Sequence, residues 1–285
     1  MIGPSVHRPL DVNGKTVLIT GAGQGIGLAL ARNLSDAGAR LCLVDVNEAT
    51  LGNAVDELGS AATAYVADVR DREQVAQVVT RAIDDHGALD VVVANAGVTP
   101  PPATVRTMDL TAYDRVIGIN QVGVLNTVQP ALEEIIKTKG HIVVVSSCAA
   151  FSPGVGGVAY MSSKAAAEQV GRALRLELAP HGASAGVAYF GFVDTPLAQA
   201  TLDDDPMGRQ LDKLLGWPLN RRISAEAAAA SIAEGITRRA PRTIAPARWL
   251  PYSLFRGVIN VGIDLVLTRD RRVHRMVHSL EAGLT

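Results

Sequence analysis

Tyr160 and Lys164 stand four residues apart in the run Tyr160-Met161-Ser162-Ser163-Lys164. On a helix that spacing puts both side chains on one face. A tyrosine at its ordinary pKa of about 10 is a poor base at neutral pH. A neighbouring ammonium favours the phenolate and makes the tyrosine a usable general base. Ser147 ends an apolar run thirteen residues earlier, where a hydroxyl can hydrogen-bond a reacting oxygen. With five tyrosines in the chain, the Tyr–Lys spacing by itself is modest evidence.

A second centre lies near the start, where an apolar run leads into Thr20-Gly21-Ala22-Gly23-Gln24-Gly25-Ile26-Gly27. Glycines there let the backbone turn tightly and approach a pyrophosphate. The helix that follows offers free N–H groups and the positive end of its dipole. The strand–turn–helix context is what such a motif requires. Asp45 follows 24 residues after Gly21, at the end of the next apolar run. A carboxylate there can accept from both adenosine ribose hydroxyls and would repel a 2′-phosphate. It therefore favours NAD over NADP. Asp68-Val69 and Asn95-Ala96-Gly97 follow two later apolar runs, and alone each reads as an ordinary strand-to-loop turn.

These residues need a frame to hold them. Strands are predicted at 15–20, 40–45, 62–67, 89–94, 141–146 and 184–190, with a weak seventh at 242–245. Helices are predicted at 25–37, 48–58, 71–85, 111–137 and 159–181, and Pro130 kinks or divides the fourth. Strands apolar on both faces, separated by helices, imply a doubly wound parallel α/β sheet with helices on both sides. No linker is visible, so one domain over 1–285 is expected. It has a core at 12–245, a substrate loop at 194–222 and a C-terminal helical tail at 246–285.

Composition narrows the function. The 285 residues are 48% hydrophobic and 19% charged, which excludes a disordered chain. A net charge of −1 and 4% aromatics leave neither a basic field nor a stacking platform for nucleic acid. The two cysteines, Cys42 and Cys148, build no disulfide framework or zinc site, and no metal is expected. No signal peptide is readable. The most apolar stretch, 250–267, is interrupted by Pro251, Arg256, Asn260 and Asp264, so a cytoplasmic protein without a spanning helix is expected.

Taken in order, TGAGQGIG, Asp68, Asn95-Ala96-Gly97, Asn120, Ser147 and the Tyr160–Lys164 run resemble the short-chain dehydrogenase/reductase family over about 12–245. The resemblance implies a Rossmann-type fold and hydride transfer between NAD(H) and a secondary alcohol or ketone, in a homodimer or homotetramer. It makes Tyr160 the catalytic acid/base. Lys164 lowers the tyrosine pKa and holds the nicotinamide ribose, and Ser147 polarises the substrate oxygen. Asn120 supports a water linking Lys164 to solvent. It assigns Gly21, Gln24, Gly25, Ile26, Gly27, Asp45, Asp68, Val69, Asn95, Ala96, Gly97, Val193 and Thr195 to the cofactor, with Asp68 and Val69 at the adenine. One departure is Phe190, which stands where the family carries proline in the turn Phe190-Gly191-Phe192-Val193-Asp194-Thr195. The usual glycine-rich ending after the seventh strand is also missing.

In the tail, Arg256, Asn260 and Asp264 form a narrow polar stripe. Leu254, Val258, Val261 and Leu265 lie on another face, joined by Phe255, Ile259, Ile263 and Val266. Most of such a helix wants cover. Three covers fit: its own domain or a subunit neighbour, an anionic membrane surface met through Arg269, Arg271, Arg272 and Arg275, or an apolar substrate beneath a lid. Some relatives acting on steroids, retinoids and other lipids also end in apolar helices, and by that analogy alone the resemblance implies a fairly apolar, steroid- or lipid-like substrate. His274 and His278 share a helix face and read as solvated, as does Asp203–Asp205. The alternative functions are an NADPH-dependent carbonyl or ketoacyl reductase, which Asp45 opposes, and a non-catalytic NAD sensor.

Overall fold

The apolar runs form strands β1 (Thr16–Thr20), β2 (Arg40–Asp45), β3 (Ala62–Val66), β4 (Val91–Ala94), β5 (His141–Val145) and β6 (Ser184–Phe190). After them come the two-residue β7 (Val193–Asp194) and β8 (Ile223–Ser224), then β9 (Arg242–Ala245). The computed structural model describes residues 8–214 and 218–282, with no side-chain description for 211–214. Seven strands make one parallel sheet in the order β3-β2-β1-β4-β5-β6-β9, and β7 pairs with β8 apart from it. The chain leaves β1 to one side and β4 to the other. The carboxyl ends of these two strands therefore flank the switch point where doubly wound sheets bind ligands.

The helices are α1 (Gly25–Asp36), α2 (Glu48–Leu58), α3 (Arg72–His86), α4 (Leu110–Ile117), α5 (Gly123–Val128), α6 (Leu132–Lys137) and α7 (Val158–Leu178). After β7 follow α8 (Pro196–Ala198), α9 (Pro206–Leu214), α10 (Ala225–Thr237), α11 (Leu250–Leu267) and α12 (Arg271–Glu281). Alternation along the strands divides the core. Val17, Ile19, Val91 and Val93 meet Leu30 and Leu34 of α1, Leu51 of α2 and Ile232 of α10. Leu18, Val92, Ile142 and Val144 meet Val78 of α3, Val124 of α5 and Leu174 of α7. Each fully buried Leu, Ile or Val contributes about 1.5–3 kcal/mol relative to exposure.

Apart from the short β7–β8 pair, which the sequence reading does not contain, the element bounds depart from it by only a few residues, with two exceptions. The stretch 111–137 is not one helix. A π turn at Gly118–Val122 and a 3₁₀ turn at Gln129–Ala131 divide it, the second holding Pro130 at its start. The helix α10 was not anticipated. Its signal is Ser224, whose hydroxyl accepts from Ala227 N–H at the start of an alanine-rich run.

Candidate active site

A cavity of about 1210 Å³ opens along the carboxyl edge of the sheet. Its wall includes Gly21, Gln24, Gly25 and Ile26 after β1, Asp45 after β2, Asp68 and Val69 after β3, and Asn95, Ala96 and Gly97 after β4. Ser147, Tyr160, Lys164, Val193 and Thr195 complete it. Two residues expected at the site, Gly27 and Asn120, stand behind this wall.

Gly27 acts on the loop itself. A Cβ there would run into the Gly21 carbonyl oxygen, so its bare Cα lets α1 close against the turn. Asn95 straps the same turn, its amide donating to the carbonyls of Thr20 (2.9 Å) and Gly21 (3.2 Å). The buried Thr20 hydroxyl accepts from the N–H groups of Asn95 (3.1 Å) and Ala96 (3.2 Å). Asn47, Asp71 and Asp109 cap α2, α3 and α4 with side-chain oxygens, whereas Gln24 makes no side-chain cap on α1. The first N–H groups of α1 are thus left to a ligand, as a pyrophosphate site requires. Asp45 faces the same cavity. Its Oδ2 accepts from Gly23 N–H (2.9 Å) and its Oδ1 from Asn47 N–H (3.0 Å). The residues present therefore fit a dinucleotide.

Asp68 is clasped by Arg70, which holds its carboxyl below the usual range. Arg70 also lines the cavity and was not anticipated, nor was Asn126. The buried Asn126 amide donates to the carbonyls of Val69 (2.9 Å) and Arg70 (3.2 Å), fixing the segment after β3.

At the other end, Lys164 is buried and donates from Nζ to the Val145 carbonyl at 3.0 Å. Burial lowers its pKa to about 8. Nζ sits 5.7 Å from the centre of the Tyr160 ring. The Tyr160 hydroxyl is pushed above its ordinary value by burial, with the Ser147 hydroxyl pulling the other way. The expected lowering of the tyrosine pKa is not found: burial disfavours the phenolate and outweighs the pull of the Ser147 hydroxyl. Ser147 Oγ donates to the Phe190 carbonyl at 3.2 Å and accepts from Ala149 N–H at 3.1 Å.

Asn120 is fully buried in the π turn, not solvent-facing as a mid-helix asparagine normally is. Its Oδ1 accepts from Val98 N–H (2.8 Å), and its amide donates to the Val98 carbonyl (2.8 Å) and to Ser163 Oγ (3.0 Å). Gly97 lies between this residue and Lys164. A Cβ on Gly97 would stand 3.2 Å from Lys164 Nζ and 3.4 Å from Asn120 Oδ1.

Phe190 is buried in the core cluster and, like Phe192, also lines the cavity. Gly191 packs against the Trp249 indole, which leaves no room for a Cβ. Cys148 is buried, and burial pushes its thiol up. In the acidic run, Asp203 pairs with Arg222 and Asp205 caps α9. Trp217, in the expected substrate loop, lies outside the described residues, as do 283–285 of the tail.

The tail packs the opposite way from what its composition suggests. Arg256 and Asn260 face the domain, Asp264 turns to the cavity rim, and Leu254, Phe255, Val258, Val261, Leu265 and Val266 are exposed. Asp264, Leu267, Thr268 and Val273 line the cavity, so the tail forms part of its outer wall.

The chain is similar to known proteins in sequence and in fold. The family model described as short chain dehydrogenase matches residues 15–206. "Probable oxidoreductase EphD" of Mycobacterium tuberculosis is 32% identical over 274 residues, 90% of this chain. The chain spans 45% of that relative's length. "Oxidoreductase UcpA" of Salmonella typhimurium is 37% identical over 221 residues, covering 74% of this chain and 82% of the relative. Among solved structures, 3-ketoacyl-(acyl-carrier-protein) reductase from Brucella melitensis complexed with NADH superposes with a TM-score of 0.70 at 26% identity. That match covers 82% of this chain and 97% of the other.

Proposed function

The chain belongs to the short-chain dehydrogenase/reductase family of Rossmann-fold oxidoreductases, and from that membership we propose that it transfers hydride between NAD(H) and a secondary alcohol or ketone. The observation that carries the reading is the meeting of Tyr160, Lys164 and Ser147 on the wall of one cavity with the uncapped start of α1 at its far end. Bound nicotinamide would supply the hydride acceptor in oxidation and the donor in reduction. The first turn of α1 would hold the pyrophosphate, and Asp45 the adenosine ribose. That carboxylate is the reason to prefer NAD to NADP.

In oxidation the Tyr160 phenolic oxygen takes the alcohol proton, and in reduction it returns one to the carbonyl oxygen. Lys164 gives the phenolate a cationic neighbour and offers N–H donors to the nicotinamide ribose. Ser147 turns its hydroxyl proton from the Phe190 carbonyl toward the substrate oxygen. Asn120 holds the turn at Val98 and, across Gly97, faces the Lys164 ammonium, from which protons pass toward solvent. Phe192, Leu267 and Val273 give the substrate end an apolar wall, which suits a steroid- or lipid-like compound. We read residues 12–245 as the catalytic core, 194–222 as the substrate loop and 246–285 as a helical extension.

The test is reduced-nicotinamide absorbance with NAD⁺ or NADP⁺ and a panel of apolar secondary alcohols, run on the parent and on Tyr160→Phe. Reduction of NAD⁺ that disappears in the variant supports the reading. Turnover with NADP⁺ alone overturns the role given to Asp45. Cofactor binding without turnover by any substrate favours a sensor.

A further inference from the structure

The residues that would solubilise α11 are turned inward. Arg256 forms a two-pronged pair with Glu168 of α7, at 2.8 and 2.6 Å. Asn260 donates to the Phe151 carbonyl at 2.9 Å and accepts from the Tyr252 hydroxyl at 2.6 Å. Ile259 and Ile263 pack on the cluster of Phe151, Tyr189 and Trp249. Arg256 and Asp264 are the only charged residues in the helix, and Asp264 turns to the cavity rim. What remains outside is Leu254, Phe255, Val258, Val261, Leu265 and Val266, with Val258 79% and Val261 72% exposed. A surface helix in water shows the reverse arrangement.

The next helix supplies the matching charge. Arg269, Arg271, Arg272 and Arg275 follow at once, and the acid among them, Asp270, is occupied capping α12 and pairing with Arg272. On α12, Met276 is buried, with Val273, Val277 and Leu280 half-buried on its side. Arg271, Arg272, His274, Arg275 and His278 are exposed on the other. Glu281 is engaged by Thr104 and Arg106. An uncharged apolar face followed by a basic face is complementary to a lipid surface with anionic headgroups. The segment 247–267 is long and apolar enough to cross a membrane. Crossing would strip Arg256 from Glu168 and bury Asn260 and Asp264 in hydrocarbon, so the helix suits lying in the interface.

We propose that α11 and α12 dock the protein on an anionic membrane surface, with the outer face of α11 at the boundary of headgroups and acyl chains and the α12 arginines among the headgroups. The cavity wall at Leu267, Thr268 and Val273 then lies beside the lipid.

The test is flotation of the full-length protein with vesicles of phosphatidylcholine alone or with one-third phosphatidylglycerol, alongside analytical ultracentrifugation without lipid. The expected result is binding to the phosphatidylglycerol vesicles, at least tenfold weaker on phosphatidylcholine. Val258→Ser/Val261→Ser/Leu265→Ser should abolish it. Arg271→Gln/Arg272→Gln/Arg275→Gln should weaken it about fivefold per arginine, and this variant leaves the apolar face intact should the serine protein fold poorly. Absence of binding to phosphatidylglycerol vesicles overturns the proposal, as does binding that neither variant alters. A parent that does not float but sediments as an oligomer dissociated by the serine substitutions assigns the face to a second copy instead.

Discussion

Glu168 lies one helical turn beyond Lys164 on α7, and its buried carboxylate is gripped by Arg256 of α11 with Nη2–Oε1 at 2.6 Å and Nη1–Oε2 at 2.8 Å. The helix that carries the proposed catalytic pair is thereby fastened to the tail. Removing the arginine leaves a carboxylate without its close partner, since Arg172 reaches it only at 3.7 Å. Arg256→Met should destabilise the protein by about 3 kcal/mol, read from denaturant unfolding. Glu168→Gln/Arg256→Met should recover more than half of that loss, because no buried charge is then abandoned. Equal losses in the two proteins would rule out a buried charge as the cause.

Lys164 makes stability depend on pH in a defined direction. Its folded pKa of about 8 lies below the unfolded value of about 10.4. In that window the unfolded chain binds more protons, so this residue raises stability as pH climbs from about 8 toward 10. Below pH 8 its buried charge costs stability in full. Lys164→Met should gain most on the parent at pH 7, and the difference in unfolding free energy should shrink by pH 9.5. A difference independent of pH would refute the assignment.

Gly97→Ala tests the close approach of Asn120 and Lys164. The added methyl stands at 3.2 Å from Nζ and must push the ammonium aside. Overpacking of this kind costs about 1–3 kcal/mol. We expect kcat/KM to fall at least tenfold while the far-UV spectrum is kept. Parent-like turnover would show that the lysine has room to move without consequence.

Asp45→Asn keeps an acceptor oxygen for only one of the Gly23 and Asn47 amides and removes the charge. The NADP-to-NAD ratio of kcat/KM should rise at least tenfold, mainly through KM. An unchanged ratio would mean that the carboxylate serves the loop alone.

The strand pattern and the glycine turn were legible because they rest on local rules: apolar runs for a buried parallel sheet, and a turn feeding a helix. Asp45 was legible for the same reason, as a residue at a strand's end. Asn126 and Thr20 were not, because their partners lie far along the chain. Asn126 meets Val69 and Arg70 across more than fifty positions, and only the packed fold joins them. The tail shows the limit most plainly. Its periodicity separates two faces but does not say which turns inward, and Glu168, which draws Arg256 in, looks like any helical glutamate. The direction of the Tyr160 shift was missed because it is set by depth of burial, which a sequence does not carry.

The π turn at Gly118–Val122 has a consequence for chain length. A π turn holds one residue more than the α-helix it interrupts, and each helical residue turns the chain by about 100°. Deleting one residue between Gly118 and Val122 would yield a more regular helix. It would also swing Asn120 away from Val98 or α5 away from the sheet. Surface connections elsewhere in the chain tolerate gain or loss of a residue, whereas this turn, though it borders helices on both sides, is intolerant of an indel. Homologous chains aligned across it should show substitutions but no gaps.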